Sequence, residues 1–415
     1  MKRCGLIGER LGHSYSQTLH GLLGEYDYAL WPLKENELEG FLRAREFDGL
    51  NVTIPYKRAV ISYLDELGEA ARRIGCVNTV VKRGDGSLFG DNTDAYGFAE
   101  LARRAGIAFG GQKTLVLGGG GTSLTACEVI REAGGRPVVI SRRGPETYER
   151  LERHADAAFL VNTTPVGMYP EPPAAAVDLA RLPGLRGVLD VIYNPLRTRL
   201  IQQAEALGIP CAGGLSMLTF QAVRACELFT GRPVGRERAA HAEAALRRTV
   251  TNVVLVGMPG SGKSAVGKLL AERLGLPLKD FDAEIEREAG LRIPAIFERE
   301  GEAGFRAREA EMAARYGREG GRVLATGGGA VISEANRENL RLNGFVVHLT
   351  RGLDRLCTEG RPLSGGDGAL ARLWAERAPL YDACADCTIA NEGTPGDCAR
   401  AIEEAYHEAL CCQRS

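Results

Sequence analysis

Two groups of side chains in this 415-residue chain have the types and spacing that chemistry needs. The first is Gly257-Met-Pro-Gly260-Ser261-Gly262-Lys263-Ser264, which fits GxxxxGK[ST] and lies between an apolar strand and a helical pattern. Such glycines let backbone N–H groups turn inward around phosphate oxygens, the lysine adds a positive charge, and the Ser264 hydroxyl can reach Mg²⁺. The loop predicts a nucleoside triphosphate and is silent about the acceptor. Asp280-Phe-Asp282 follows at the end of the next expected strand, where residues two apart would face one site. One carboxylate would hold Mg²⁺ through water and the other would take an acceptor proton. The alternative is that Asp282 caps the helix that follows.

The second group lies in the first half: Gly12-His-Ser14-Tyr-Ser16, Asn51-Val-Thr53-Ile-Pro-Tyr-Lys57, Val77-Asn78-Thr79 and Asn92-Thr-Asp94. Hydroxyls, amides, one lysine and one aspartate gather at expected strand ends, where α/β sheets bind ligands. The same residue types also build turns. Together they suit a small polyhydroxy acid and one proton-transfer pair. Gly118-Gly-Gly120-Gly121 after Val116-Leu117 is a dinucleotide-type turn, with Ser123 in place of the third glycine of GxGxxG. NAD sites carry an acid about twenty residues further on, for the ribose 2′-hydroxyl. This chain has Ser141-Arg142-Arg143 there, which favours the 2′-phosphate of NADP(H).

These residues must be held by something, and the chain alternates short Val/Ile/Leu-rich runs with amphipathic segments. That rhythm predicts parallel sheets with covering helices, the α/β class. Strands are expected at Lys2–Gly8, Tyr26–Trp31, Gly49–Ile54 and Val77–Lys82, then a helix over Asp94–Ala105. A second unit should run through strand Lys113–Leu117, helix Thr122–Ala133 and strands Pro137–Ser141, Phe159–Asn162 and Gly187–Asp190. Two helices, Leu215–Phe229 and Arg236–Arg248, close the first half, and a new strand begins at Thr251 with no linker. The expected units are therefore 1–249, divided into a substrate lobe (1–92), a Rossmann-type NADP lobe (93–213) and returning helices (214–249), and then 250–415.

Composition narrows the function classes. Net charge is −1, with 44% hydrophobic and 25% charged residues, so no chain-wide basic field gathers nucleic acid or anionic lipid. No apolar run approaches the ~18 residues of a membrane span. The N-terminus lacks a signal-like apolar region, so a cytoplasmic protein is expected. The eleven cysteines are scattered, apart from Cys384-Ala-Asp-Cys387 and Cys411-Cys412, and form no zinc-ligand spacing. They read as small apolar side chains. Of only eight lysines, two (Lys57 and Lys263) fall inside these motifs.

From Val253 to about Ala385 the order of motifs resembles shikimate kinase. The P-loop is followed by Asp280-Phe-Asp282, Gly301-Glu-Ala-Gly-Phe-Arg306-Ala-Arg-Glu309, Thr326-Gly327-Gly328-Gly329, Arg361-Pro-Leu363 and Arg377-Ala-Pro-Leu-Tyr381. The resemblance implies a P-loop domain of the NMP-kinase kind that binds ATP through Gly257, Gly260, Ser261, Gly262, Lys263 and Ser264. Mg²⁺ would sit at Ser264 and Asp280. Asp282 would meet the substrate hydroxyl, Arg306 and Arg377 would grip its carboxylate, and Gly327, Gly328 and Gly329 would lie against its ring. Guanidinium forks match planar carboxylates. Lys263 and Arg361 would stabilise the moving phosphoryl group. Between His348 and Arg361 the chain is shorter than the family usually is, so the arginine that packs on adenine has no clear place.

From Leu6 to about Pro233 the chain resembles shikimate dehydrogenase, with further matches at Asn162-Thr-Thr-Pro-Val-Gly-Met168, Asp190-Val-Ile-Tyr193-Asn-Pro195 and Gly213-Gly214-Leu-Ser-Met-Leu-Thr-Phe-Gln221. The resemblance implies that Ser14, Ser16, Asn51, Thr53, Asn78, Asp94, Tyr193 and Gln221 line the shikimate pocket. Lys57 and Asp94 would be the catalytic pair. Gly118, Gly120, Gly121, Ser141, Arg142, Arg143 and Gly214 would contact NADP(H). Gln17, Gly21 and Cys76 depart from the family's usual Pro, Asn and Ala. The two resemblances imply consecutive reactions, 3-dehydroshikimate to shikimate and shikimate to its 3-phosphate. The alternatives are a quinate-type dehydrogenase joined to another small-metabolite kinase, or a metabolite sensor built on inactive copies. A sensor should have lost Lys57, Asp94, Lys263 or Asp282, and all four are present.

Overall fold

The computed structural model describes residues 1–12, 14–356 and 369–411. Three sheets follow one another along the chain. The first is mixed and six-stranded: β1 (Arg3–Gly8), β2 (Asp27–Pro32), β3 (Gly49–Val52), β4 (Glu66–Leu67), β5 (Thr79–Lys82) and β6 (Leu88–Asp91), in the order β2-β1-β3-β5-β6-β4. β1 is parallel to β2 and β3, whereas β5 runs antiparallel to β3 and β6. Sequence patterning predicts only four of these strands. The Val77–Lys82 run enters the sheet at Thr79, and before it Val77 N donates to the Lys57 carbonyl, outside any strand.

The second sheet is parallel: β7 (Lys113–Leu117), β8 (Arg136–Ile140), β9 (Phe159–Asn162), β10 (Gly187–Asp190) and β11 (Cys211–Ala212), in the order β11-β10-β9-β7-β8. The order reverses between β7 and β9, and that switch point is where doubly wound sheets take ligands. The third sheet is also parallel: β12 (Asn252–Val256), β13 (Leu278–Asp280), β14 (Val323–Ala325), β15 (Gly344–Thr350) and β16 (Cys387–Ala390), ordered β13-β14-β12-β15-β16. Every residue of Asn252–Val256 is buried, as befits a central parallel strand covered on both faces.

Helices Thr93–Arg104 and Leu215–Thr230 cross closely at Gly97, where a Cβ would stand 2.5 Å from the Met217 carbonyl oxygen. The helix Arg236–Val250 passes into β12 through Thr251 alone. Residues Ile293–Arg318 are two helices broken at Gly301, whose φ of +70° only glycine adopts cheaply. No described helix is long and apolar enough to cross a membrane. The described cysteines are free thiols, most of them buried.

Candidate active sites

In the first half the expected polar residues meet at the ends of β3, β5 and β6. Asn92 caps the helix Thr93–Arg104 by accepting from Ala95 N, and this sets Asp94 in the helix's first turn. Asn78 Oδ1 accepts from Thr93 N (2.7 Å), which fixes the same turn from the sheet side. Lys57 Nζ donates to Asp94 Oδ2 at 2.5 Å, with 20% and 13% of the two side chains exposed. Burial works against the ammonium, but the Asp94 carboxylate outweighs it, and the Lys57 pKa stays above its ordinary value. Asn51 donates to Thr79 Oγ1 (3.2 Å) and accepts from the Tyr28 hydroxyl (2.8 Å). Tyr28 has no signal in the sequence, since only its fold partner shows what its hydroxyl holds.

Ser14 accepts from Ser16 N, and Tyr15 between them meets Tyr193 edge-on with ring centroids 5.9 Å apart. Gln221 stands beside the Asp94 helix: a Cβ on Gly97, one turn after Asp94, would lie 3.1 Å from Gln221 Cβ. Thr53 packs its methyl near Gly8, and its amide donates to Ile7 O. The pocket residues expected from sequence therefore sit on neighbouring elements, with Lys57 and Asp94 in direct contact.

The glycine turn lies at the β7/β9 switch point. Gly118 has φ +110°, and a Cβ there would come within 2.9 Å of Thr163 Oγ1. Among the described residues, Gly120 has no atom within 4 Å of a Cβ position, and those of Gly119 and Gly121 come no nearer than 3.9 Å to Ser141 and Cys76. An open cradle at the start of helix Gly121–Glu132 is a fitting place for a pyrophosphate. β8 ends at Ile140, one residue before the expected end. Arg142 and Arg143 are exposed and make no ion pair with a described residue. Gly214 differs in kind: a Cβ there would overlap the Val191 carbonyl, so close chain packing alone demands glycine.

In the second half, the loop after β12 needs positive φ at Gly257, Gly260 and Gly262, and the helix Lys263–Leu274 starts directly behind it. Lys263 is buried, and its Nζ donates to the Gly257 and Met258 carbonyls, each at 2.9 Å. Ser264 is exposed on the helix's first turn, and the Ser261 hydroxyl is buried without a partner among the described residues. Asn391, just past β16, donates to the Ser261 carbonyl (2.8 Å) and so braces the loop. No motif marks it.

One expectation about Asp280 and Asp282 fails. The strand stops at Asp280, which is itself the cap of helix Phe281–Ala289, accepting from Ala283 N at 3.2 Å. Asp282 lies within that helix's first turn, so the two carboxylates are not arranged by strand alternation. Nor does Asp282 cap. It points instead at the triple glycine, where a Cβ on Gly327 would stand 3.3 Å from Asp282 Oδ1.

That triple glycine is the hub of the second site. Cβ atoms on Gly327, Gly328 and Gly329 would run into Glu309, Pro259 and the Arg306 guanidinium respectively. Arg377 and the Tyr381 hydroxyl both donate to the Gly328 carbonyl, at 3.2 and 2.5 Å. Glu309, three residues after Arg306, is 1% exposed and accepts from Arg306 Nη1 at 2.9 Å. Burial pushes the Glu309 carboxyl up against the opposing pull of Arg306, and Asp282 adds to the rise. Glu309 Oε1 and Arg377 Nε are buried with no hydrogen-bond partner among the described residues. Glu309 and Tyr381 carried no assigned role at the level of sequence. Arg361 lies outside the described residues.

The fold and these two sites define a class: a dinucleotide-fold oxidoreductase joined to a P-loop phosphotransferase. Comparison with known proteins agrees. The shikimate dehydrogenase substrate binding domain matches residues 6–80, and the shikimate kinase family matches residues 259–407. The NADP(+) shikimate dehydrogenase of Clostridium perfringens strain SM101 is 34% identical over 258 residues, covering 57% of this chain and 95% of its own. An NADP(+) shikimate dehydrogenase of Thermus thermophilus is 36% identical over 263 residues, covering 58% and 98%. The crystal structure of a Thermus thermophilus shikimate 5-dehydrogenase with NADP(H) and shikimate superposes with a TM-score of 0.54 and 33% identity. It covers 59% of this chain and 99% of that one. A chorismate mutase/shikimate 5-dehydrogenase fusion from Clostridium acetobutylicum gives a TM-score of 0.55 at 29% identity, covering 59% and 96%. The chain belongs to the shikimate dehydrogenase family and carries a shikimate kinase domain behind it, which makes it a bifunctional enzyme.

Proposed function

We propose that residues 1–249 reduce 3-dehydroshikimate to shikimate with NADPH and that residues 250–415 phosphorylate shikimate with ATP at the hydroxyl just formed. The observation that carries the first reaction is the Lys57–Asp94 pair next to the glycine cradle. Cys76 bridges them: its thiol lies 3.9 Å from the Gly121 Cβ position and feels the charges of both Lys57 and Asp94. NADPH, when bound, supplies the hydride for the C3 carbonyl. Lys57 then gives its proton to the oxygen that gains charge, and Asp94 holds the ammonium aimed at it. Ser14, Ser16, Asn51, Thr53, Asn78, Tyr193 and Gln221 orient the ring and its carboxylate. Arg142 and Arg143 are free to meet a 2′-phosphate.

In the second site ATP supplies the phosphoryl group. Lys263, held by two carbonyls of its own loop, stands ready to transfer its donors to phosphate oxygens. Ser264 and the Asp280 oxygen not used in capping are the groups that would hold Mg²⁺. Asp282 receives the acceptor's proton, while Arg306 and Arg377, whose Nε has no partner among the described residues, bind its carboxylate. Glu309 holds Arg306 in place.

The test follows NADPH loss and ADP release with 3-dehydroshikimate as the only carbon substrate. Lys57→Ala should abolish NADPH oxidation and leave phosphorylation of added shikimate, and Lys263→Ala should do the reverse. Either change silencing both activities in folded protein would refute two independent sites.

A further inference from the structure

The segment that carries Tyr193, from Val191 to Arg197, is held at its two ends by different halves of the enzyme. Its start is anchored within the dehydrogenase: Val191 N donates to Asn162 O, and Ile192 N donates to the buried Asp190 carboxylate. Beyond Tyr193 the kinase half takes over much of the anchoring. Leu196 N donates to Asn343 Oδ1 at 2.9 Å, Asn343 Nδ2 donates to Asn194 Oδ1 at 3.3 Å, and Arg197 N donates to Leu342 O at 2.9 Å. The Arg197 guanidinium pairs with Asp386 at 2.7 Å.

Asn343 is the centre of this contact. It is 1% exposed, its amide nitrogen also donates to Arg318 O (2.9 Å), and its own carbonyl accepts from Asn252 N (2.8 Å) at the start of β12. A buried asparagine with its oxygen and both its hydrogens engaged is fixed in place. It is itself the last residue before β15 and is bonded to the first residue of β12. It is therefore a rigid post, and the Tyr193 segment is tied to it from outside its own domain.

We propose that Asn343, a residue of the kinase half, is a positioning residue of the dehydrogenase site: it sets the Asn194–Leu196 backbone and thereby the Tyr193 side chain. The inference rests on the reading of Tyr193 as a shikimate-pocket residue. The hydrogen bonds of Asn343 go to Asn194, Leu196, Arg318 and Asn252, none of them a kinase-site residue named above, so its effect is expected on the other reaction. Loosening the segment should weaken binding of the substrate and leave the Lys57–Asp94 chemistry alone.

The experiment uses the full-length enzyme and measures both reactions in each preparation. Asn343→Ala should raise KM for 3-dehydroshikimate by about fivefold with kcat changed less than about twofold, and leave the kinase constants within about twofold. Tyr193→Phe should raise the same KM. Glu338→Ala removes an ion pair to Arg199 (3.0 Å) across the same interface without touching Val191–Arg197, and should leave it unchanged. If Asn343→Ala does not fold, Asn343→Asp keeps the size and the acceptor for Leu196 N but loses both donors, and reads the same split. A normal KM in Asn343→Ala with a raised one in Tyr193→Phe overturns the inference alone. An unaffected Tyr193→Phe overturns the pocket assignment beneath it. An equal rise in Glu338→Ala, or parallel loss of both activities in the Asn343 variants, reduces Asn343 to general interface packing and also overturns it.

Discussion

Replacing Lys57 by Met removes a cation and leaves Asp94 against a largely buried surface. At 2.5 Å the pair attracts by roughly 6–7 kcal/mol at an effective dielectric of about 20, before desolvation is subtracted. The Lys57 pKa is raised despite burial, so attraction exceeds desolvation in the folded protein. Breaking such a pair from one side typically costs about 3–5 kcal/mol, and the residual exposure of both side chains favours the lower end. Lys57→Met should thus lose about 3 kcal/mol of stability, and Lys57→Met with Asp94→Asn should recover most of it, because no unpaired carboxylate remains. The chain has two tryptophans, Trp31 in the first lobe and Trp374 in the kinase half. In a Trp374→Phe background, urea unfolding followed by Trp31 fluorescence therefore reports the relevant lobe. NADPH oxidation should fall by about 10²–10⁴ in both single variants, the scale of a lost general acid. Single-variant stabilities that add within about 0.5 kcal/mol would show that the two groups do not interact, and the reasoning would fail.

Burial pushes the Asp190 carboxyl up to about 6, despite its bonds from Thr198, Ile192 and Asn162. Its folded pKa exceeds the unfolded one, so the native state keeps a proton the unfolded chain has lost, and stability falls as pH rises from about 4 to 6. Asp190→Asn should remove that slope and gain up to about 3 kcal/mol relative to the parent between pH 4 and 7, read by urea titrations across pH. Arg142→Glu with Arg143→Glu should cut kcat/KM for NADPH by about 100-fold while sparing NADH, measured by initial rates with both cofactors. Gly329→Ala places a methyl where the Arg306 guanidinium now lies, and that flexible end can swing away. The kinase KM for shikimate should then rise about tenfold with KM for ATP within about twofold, in coupled ADP assays.

The sequence by itself settled what recurs locally. The P-loop glycines, the cradle from Gly118 to Gly121, the strands Phe159–Asn162 and Gly187–Asp190, and the helices around Leu215 and Arg236 all follow from short-range patterns. Backbone shape at a positive-φ glycine, or burial of a Val/Leu run, depends on few neighbours, so a short window holds the information. Lys57 and Asp94 were legible too, although 37 positions apart, because each stands in its own family motif.

Tertiary structure decided everything that depends on which distant atoms meet. It moved the cap from Asp282 to Asp280 and turned Asp282 toward the triple glycine, because the strand ended at Asp280, two residues earlier than alternation assumed. It showed Gly214 to be a packing glycine, and gave Glu309, Tyr28 and Asn391 their contacts. It also tied Asn343 to Asn194 and Leu196 across 149 and 147 positions. A buried asparagine has the same local signature wherever it lies, and only the tertiary contact between residues 194–197 and 342–343 tells which loop its amide holds.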